Sequence, residues 1–297
     1  MARIVITGSS GRIGRAVFWQ AVREHEVIGI DLQPSSSTTN IANISQPDVL
    51  KRAFVGADAV IHTAALHAPH VGVRSEPEFE KTNVESTALV AQIANTSGVR
   101  NLVFSSTTAL YGYANQKDEE AVWVDEHTVP QPRTIYHRTK FAAEETLKAE
   151  ASSAMSIAII RLSRCFPEPV PEMAIYRLHR GVDYRDVATA HLQAASLGEC
   201  GVHTFVVSGS TPFMRTDCER LKFDAPSVIW ERAPEVAQEF DQRGWPLPKS
   251  IDRVYDSSFV SRKLGWKMKF GSDHLFKQYD VMDFEVLPPE AQIQSEE

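Results

Sequence analysis

The sequence predicts an α/β fold in which a doubly wound parallel sheet carries a small C-terminal lobe. Short apolar runs alternate with helical patterns of ten or more residues through the first 162 residues. A glycine-rich turn joins the first run to the first helix, and the alternation stops where prolines fall at 167, 169 and 171. Such alternation indicates a parallel sheet covered on both faces, because each right-handed crossover lays a helix on one face.

Each element follows from a local pattern. Apolar, β-branched runs predict strands at 2–7, 26–31, 57–63, 101–105 and 155–162. Helical periodicity predicts helices from the glycine turn to about residue 23, through 84–93 and over 136–148. A helix over 186–197 and a strand over 202–207 are expected to rejoin the main sheet. The predicted division is a main domain of 1–163 with 182–208, a small lobe of 164–181 with 209–284, and a solvated tail of 285–297.

Composition and charge narrow the class of protein. The chain has 297 residues, a net charge of −7 and 43% hydrophobic residues, as in an ordinary globular protein. The acidic balance argues against a general nucleic-acid binder. No apolar run approaches the roughly 18 residues of a membrane helix, and the N-terminus lacks a secretory layout. Three scattered cysteines, Cys165, Cys200 and Cys218, indicate neither disulfides nor a metal site, so we expect a reducing, cytoplasmic environment.

A glycine-rich turn follows the first predicted strand. Residues 7–14 read TGSSGRIG and open the first helix. We expect Gly8 to allow the tight turn, Gly11 to let the backbone approach a pyrophosphate, and Gly14 to pack helix against strand. The helix N-terminus then offers free N–H groups to the anion. The pattern predicts a Rossmann-type dinucleotide site, with contacts from Gly8, Ser10, Gly11, Arg12, Ile13 and Gly14.

The end of the second strand indicates which dinucleotide binds. Asp31 lies there, 17 residues after Gly14. A carboxylate at this place accepts hydrogen bonds from both hydroxyls of an adenine ribose and repels a 2′-phosphate, which favours NAD over NADP. Asn43 and Ile44, after a polar loop, are predicted to edge the adenine.

A tyrosine and a lysine four residues apart supply candidate proton chemistry. Tyr136 and Lys140 in IYHRTK share one helix face. A nearby ammonium would lower the pKa of the phenol, which could then take a proton from a substrate hydroxyl while hydride leaves the same carbon for nicotinamide. Lys140 could also hold the nicotinamide ribose. The preceding strand ends in Ser105, Ser106 and Thr107, whose hydroxyls could bridge the substrate and the tyrosine.

Together these motifs resemble the extended short-chain dehydrogenase/reductase family, the group of NAD-dependent epimerases and dehydratases acting on sugar nucleotides. The residues that carry the resemblance are TGSSGRIG, HTAAL (62–66), FSSTTALYG (104–112) and Tyr136-x-x-x-Lys140. The resemblance implies that Thr107, Tyr136 and Lys140 are catalytic, and that Ala64, Ala65 and Ser105 line the NAD. It also implies a homodimer built through the helices near 82–97 and 136–150.

Four arginines between 161 and 180 indicate how a substrate could be held. The run from Arg161 to Arg177 is similar to uronate dehydrogenases, which oxidise free hexuronic acids and share its Arg…Cys-x-Pro-Glu-Pro pattern. That resemblance makes Arg177 the clamp for a substrate carboxylate. Arg164 is a second predicted substrate contact, whereas Arg161 and Arg180 are expected to be structural or ion-paired. His67 and Ser106 complete the predicted substrate contacts.

Three functions are compatible with these motifs. The preferred one is an NAD-dependent oxidoreductase that takes hydride from a carbinol carbon of a small, sugar-like, possibly uronic acid substrate. The first alternative is a nucleotide-sugar epimerase or dehydratase in which NAD is reduced only transiently. The second alternative is a non-catalytic NAD-binding regulator.

Overall fold

The computed structural model describes residues 1–115, 117–151, 153–283 and 285–291. Its strands are β1 (Arg3–Thr7), β2 (Glu26–Asp31), β3 (Asn40–Ile41), β4 (Ala59–His62), β5 (Asn101–Thr107), β6 (Val122–Val124), β7 (Ser156–Leu162), β8 (Gly201–Val207) and β9 (Arg253–Tyr255). Seven of them form one parallel sheet in the order β3-β2-β1-β4-β5-β7-β8. The predicted doubly wound α/β fold is confirmed.

Helices connect these strands and build the lobe. In chain order they are α1 (Arg12–Ala21), α2 (Pro47–Phe54), α3 (Glu76–Phe79), α4 (Ser86–Thr96), α5 (Ile135–Ala149), α6 (Val170–His179), α7 (Tyr184–Ala194), α8 (Cys218–Phe223), α9 (Ala225–Arg232), α10 (Pro234–Arg243), α11 (Ser258–Leu264) and α12 (Ser272–Asp280). A π-helical segment, Glu80–Glu85, joins α3 to α4. No helix in the described part of the chain is long and apolar enough to cross a membrane.

Two apolar layers cover the two faces of the main sheet, so its central strands are buried on both sides. One layer is formed by α1, α7 and α11 and includes Val17, Val187 and the fully buried Trp266. The other is formed by α2, α4 and α5 and includes Leu50 and Leu147. The assignment of α11 to the small lobe is therefore wrong, since its apolar face packs on the main sheet.

The small lobe has its own apolar core. Helices α6, α8, α9, α10 and α12 contribute to it, with Met173, Val228 and Phe276 among its members. β6 pairs in parallel with β9 in a separate two-stranded sheet. The sequence analysis placed β6 in the main domain, but Ala121, directly before it, packs into the lobe core.

The start of the expected tail is folded, which contradicts the prediction of a solvated segment from 285. The Glu285 carboxylate pairs with Arg12 at 2.7 Å, and Val286 is 9% exposed. The Val170 N–H donates to the Leu287 carbonyl at 3.1 Å. The segment from 285 to 287 is therefore held at both the glycine turn and α6. Residues 292–297 of the predicted tail lie outside the described residues.

Candidate functional site

The glycine turn at the end of β1 is shaped to receive a dinucleotide. Gly8 has φ 77°, and a Cβ there would lie 2.5 Å from the Ala64 nitrogen. A Cβ on Gly14 would lie 2.0 Å from the Gly8 carbonyl oxygen, so α1 packs directly on the turn. Gly11 is the N-cap of α1 and has no side chain to accept from the first N–H groups of the helix. These N–H groups suit a pyrophosphate, so the residues fit the predicted NAD.

Asp31 lies beside this turn. Its Oδ2 accepts from the Ser10 N–H at 3.0 Å, and its Oδ1 accepts from the Gln33 N–H at 2.9 Å. The carboxylate is thus fixed at the carboxyl end of β2, half-buried beside the glycine turn. This is the position at which a ribose would meet it.

The other predicted cofactor contacts fall into two groups. Ala64 and Ala65 follow β4 and are half-buried beside Gly8. Asn43 is exposed, and its Oδ1 accepts from the Ser45 N–H at 2.9 Å. Ile44, by contrast, is 8% exposed and packs in the core on the α2 side of the sheet, and its contact with an adenine stays a prediction.

Arg12 and Ile13, two further predicted cofactor contacts, lie in the first turn of α1. Besides its pair with Glu285, the Arg12 guanidinium lies 4.3 Å from the Tyr184 ring centroid. Ile13 packs against the core on the α1 side of the sheet. Their backbone N–H groups, at the first turn of α1, are the groups that face a phosphate.

Tyr136 and Thr107 meet at the carboxyl end of β5. Thr134 caps α5 by accepting from the His137 N–H at 3.3 Å, which places Tyr136 in the first turn. The Thr107 hydroxyl lies close enough to the Tyr136 phenol to influence its pKa. Burial raises the pKa of Tyr136 to about 12, and the Thr107 hydroxyl opposes that rise. The expected lowering of this pKa by Lys140 is not found, because burial dominates the shift and Lys140 does not contribute to it.

Lys140 lies one turn further along α5 and is 2% exposed. Its Nζ donates to the Ser105 carbonyl at 2.6 Å and lies 3.8 Å from the Phe104 ring centroid. Burial lowers the pKa of Lys140 to about 7, and Glu144 opposes this shift. The ammonium is therefore held on β5 rather than free in the cleft.

Two serines of β5 point away from the cleft. The Ser105 hydroxyl is 2.6 Å from His191 Nε2, while His191 Nδ1 donates to the Val187 carbonyl at 2.8 Å. Because Nδ1 carries the proton of the neutral ring, Ser105 donates to Nε2. Ser106 is 2% exposed and donates to Glu144 Oε1 at 2.5 Å. Ser106 is therefore a structural contact and not the predicted substrate contact.

The arginines of the 161–180 segment are all paired within the protein. Arg164 is half-exposed and hydrogen-bonds Glu168, which helps to raise its pKa. Arg177 is 5% exposed and pairs with Asp183 at 3.1 Å, and burial lowers its pKa. The clamp role of Arg177 stays a prediction that these contacts do not favour. Arg180 pairs with Asp252 at 3.7 Å, an ion pair of the kind expected for it.

His67 lies in the loop after β4 and contacts the loop after β7. Its ring is stacked on Phe166, with centroids 6.0 Å apart and planes at 17°. Burial lowers its pKa to about 4, with contributions from His70 and Lys140, so the ring is neutral at pH 7. Its buried Nδ1 has no hydrogen-bond partner among the described residues. The charge of Lys140 reaches this ring, and the predicted contact of His67 with a substrate stays a prediction.

Sequence reasoning missed a buried ion pair beneath these groups. Glu144, on α5, is fully buried and pairs with Arg161 of β7 at 2.7 Å. The signal was present, since Glu144 follows Lys140 by the same four residues that separate Lys140 from Tyr136. Its partner could not be read from spacing, because Arg161 lies on another strand. Among the described residues, no group of three or more His, Cys, Asp or Glu side chains could hold a metal ion.

Several proteins of known activity are similar to this chain. Over 171 residues it is 28% identical to N-acetyl-alpha-D-glucosaminyl-diphospho-ditrans,octacis-undecaprenol 4-epimerase of Escherichia coli O157:H7, covering 56% of this chain and 49% of that protein. It is 29% identical over 153 residues to L-arabinose 1-dehydrogenase (NAD(P)(+)) of Haloferax volcanii, covering 48% and 59%. Both matches span only about half of the relative's length. UDP-glucose 4-epimerase of Pasteurella multocida is 23% identical, with 92% and 95% covered.

A solved structure and a family profile complete the comparison. A short-chain dehydrogenase/reductase superfamily protein from Agrobacterium tumefaciens, crystallised with NAD, superposes with a TM-score of 0.69 at 20% identity. That match covers 94% of this chain and 96% of the other, and it shows a shared fold. The profile of the NAD dependent epimerase/dehydratase family matches residues 4–175, which is more than half of the chain and includes the glycine turn, Thr107, Tyr136 and Lys140. The chain therefore belongs to the NAD dependent epimerase/dehydratase family, as its motifs predicted.

Proposed function

We propose that this protein is an NAD-dependent oxidoreductase acting on a carbinol carbon of a small, sugar-like substrate. The observation that carries the proposal is the approach of the Thr107 hydroxyl to the Tyr136 phenol at the carboxyl end of β5. Lys140 is anchored one helical turn away, and the same sheet edge carries the glycine turn and Asp31. In open parallel sheets, ligands bind at this edge.

The residues divide the chemistry among them. Tyr136 must first lose its own proton to solvent, and as a phenolate it then accepts the proton of the substrate hydroxyl. Thr107 hydrogen-bonds the substrate oxygen so that this hydroxyl faces Tyr136. Lys140, fixed on the Ser105 carbonyl, supplies the positive charge that stabilises a developing phenolate. The bound NAD supplies the hydride acceptor. Asp31 and the first N–H groups of α1 hold its ribose and pyrophosphate.

A small substrate is favoured by the walls of the cleft. His67 and Phe166 form a stacked aromatic pair beside the cleft, which suits the apolar face of a sugar ring. Arg164 is half-exposed beside Phe166 and is the guanidinium best placed to meet a carboxylate. The likeness to an L-arabinose dehydrogenase supports a free sugar as substrate.

The test is net reduction of NAD. The purified protein is mixed with NAD and, in separate reactions, with a panel of aldoses and uronic acids, and absorbance at the NADH band is followed. We expect NADH to accumulate with at least one sugar. Absence of NADH with every sugar would reject the proposal, provided that calorimetry shows NAD to be bound.

The main alternative is a nucleotide-sugar epimerase or dehydratase. It is supported by the likeness to a UDP-glucose 4-epimerase over nearly the whole chain. In that case NAD is regenerated within each turnover and no net NADH appears. Binding of UDP or dTDP in calorimetry, together with a silent NADH assay, would favour this alternative. A biological effect that survives Tyr136→Phe would instead favour the non-catalytic regulator.

A further inference from the structure

The inward face of α5 extends one turn beyond the residues that the proposed function uses. Tyr136, Lys140 and Glu144 follow one another at intervals of four and so share one face of the helix. Exposure falls along this row, from the half-buried Tyr136 through Lys140 at 2% to Glu144 at 0%. A carboxylate buried this completely requires partners.

Glu144 ties α5 to the two strands beneath it. Arg161 Nη2 donates to Glu144 Oε2 at 2.7 Å, and Arg161 Nε lies 3.1 and 3.2 Å from the two carboxylate oxygens. Ser106 donates to Oε1 at 2.5 Å. Ser106 and Arg161 are themselves register partners on β5 and β7. The Glu144 carboxylate thus fixes Ser106. Ser106 lies between Thr107 and Ser105, whose carbonyl holds Lys140.

Stability alone does not account for this ion pair. The free energy lost when two charges leave water exceeds the free energy of their attraction unless every donor and acceptor is hydrogen-bonded. Replacing such a pair with apolar residues is often neutral or stabilising. Here the pair is completed by Tyr111, whose hydroxyl accepts from Arg161 Nη1 at 3.1 Å. A network this complete, placed one turn from Lys140, indicates a role in arranging its neighbours.

The charges around Lys140 give Glu144 a second role. Besides Tyr136 on its own helix, Lys140 faces His62 of β4 and His67, whose pKa values burial lowers to about 3 and about 4, so both rings are neutral at pH 7. His191, reached through Ser105, is neutral for the same reason. The uncharged Phe104 ring and Ser105 carbonyl complete the surroundings. Among these described neighbours, Glu144 is the acidic group that opposes the loss of the Lys140 proton.

We infer that Glu144 is a positioning residue, whose carboxylate, held by Arg161, fixes the end of β5 against α5 and keeps Lys140 in its ammonium form. The inference rests on the proposed function for its consequence, because only a charged Lys140 can stabilise a phenolate at Tyr136. Arg161 then acts through its ion pair with Glu144, and it is not a substrate contact.

The test measures the protonation of Lys140 directly and needs no substrate. The full chain is labelled with [13Cε]lysine, and the Lys140 resonance is identified by its absence from Lys140→Arg. Its titration midpoint is compared between the unsubstituted protein and Glu144→Gln, which keeps the shape and the acceptor for Ser106. We expect the midpoint of Glu144→Gln to fall by about one pH unit or more, since one attractive charge is lost and Arg161 is left unpaired.

Two further variants separate charge from structure. Glu144→Gln combined with Arg161→Met removes both charges, so its midpoint should lie between those of the single variant and the unsubstituted protein. This variant also serves if the single substitution fails to fold. Glu145→Gln, next along the helix but exposed and paired with Lys148 at 2.7 Å, should leave the midpoint unchanged.

The outcomes distinguish this inference from the proposed function. Equal midpoints in the unsubstituted protein, Glu144→Gln and the double variant would overturn the inference, even if their melting temperatures differ. A shifted midpoint with no NADH from any sugar would support the role of Glu144 in setting the charge of Lys140 while rejecting the proposed reaction.

Discussion

Asp31 is the residue predicted to decide which dinucleotide the glycine turn accepts. Its carboxylate is fixed by the Ser10 and Gln33 N–H groups and adds a negative charge where a ribose would lie. Asp31→Asn keeps an acceptor oxygen but loses the charge, so NAD should bind about tenfold more weakly, while the repulsion of NADP is relieved. Calorimetric titration with each dinucleotide measures the two affinities.

Asp48→Asn is the matched control, since Asp48 is exposed in the first turn of α2. It should bind both dinucleotides as the unsubstituted protein does. An unchanged ratio of NAD to NADP affinity in Asp31→Asn would contradict the role given to the carboxylate.

Tyr136 is the predicted acid/base, and its hydroxyl is the group to remove. Tyr136→Phe should lower kcat/KM for the reactive sugar by a factor of about 10² to 10⁴, the usual contribution of a positioned proton acceptor. NAD binding, followed by calorimetry, should persist because the turn and Asp31 are untouched. Tyr113→Phe, at a residue 56% exposed, should retain full activity. Full activity in Tyr136→Phe would remove the tyrosine from the mechanism.

Individual residues were predictable where one element sets their geometry. Tyr136 and Lys140 lie on one turn of a helix, and Asp31 ends a strand beside the glycine turn, so their places follow from spacing. Arg161 is ion-paired as predicted, but neither its partner nor the buried contact of Ser106 was predicted, because that shared partner, Glu144, lies on a helix that packs against the sheet. Alternate residues of a strand face opposite layers, and the sequence does not say which layer holds the ligand.

Three structural elements carry buried neutral histidines, which makes the fold sensitive to acid. His62 of β4, His179 of α6 and His191 of α7 are nearly inaccessible, and burial lowers their pKa values to about 3, about 3 and about 4. The unfolded chain protonates them below about pH 6.5. Because the unfolded state then binds more protons, the free energy of unfolding should fall as pH drops from about 6.5 towards 4.

Each histidine contributes up to about 1.4 kcal/mol per pH unit to that slope. Urea unfolding at several pH values between 7.5 and 4.5 measures it. His191→Gln should reduce the change in the free energy of unfolding per pH unit by the contribution of one histidine. His127→Gln, at an exposed position, should leave it unchanged. A free energy of unfolding that stays flat over this range would show that the buried rings do not control acid stability.

The elements of the main sheet were predicted better than those of the lobe. Long apolar runs flanked by helical periods gave β1, β2, β4, β5 and β7 within about two residues, as is usual for strongly periodic segments. β6 and β9 have three residues each and pair across more than 120 positions of chain, as in Val122 with Arg253. A run of three residues is too short to show the alternation of apolar and polar side chains that predicts a strand.

At the scale of the whole molecule, the predicted homodimer depends on the outer faces of α4 and α5. Half-buried apolar side chains lie on these helices and the π-helical segment before them: Val84, Ala88, Leu89, Phe141 and Ala142. If two copies meet there, Val84→Glu places a charge in the seam, where charged side chains are depleted. Sedimentation velocity should show a dimer for the unsubstituted protein and a monomer for this variant.

Val55→Glu is the control, because Val55 is 65% exposed at the end of α2. It should sediment as the unsubstituted protein does. If the unsubstituted protein sediments as a monomer at the concentrations used for activity assays, the predicted dimer interface on α4 and α5 is rejected.

The folded segment from Glu285 to Leu287 has a practical consequence for handling the protein. Because this segment contacts both Arg12 in the glycine turn and the start of α6, cutting it away would remove the ionic partner of Arg12 beside the dinucleotide site. Preparations used to measure cofactor affinity should therefore retain residues 285–287.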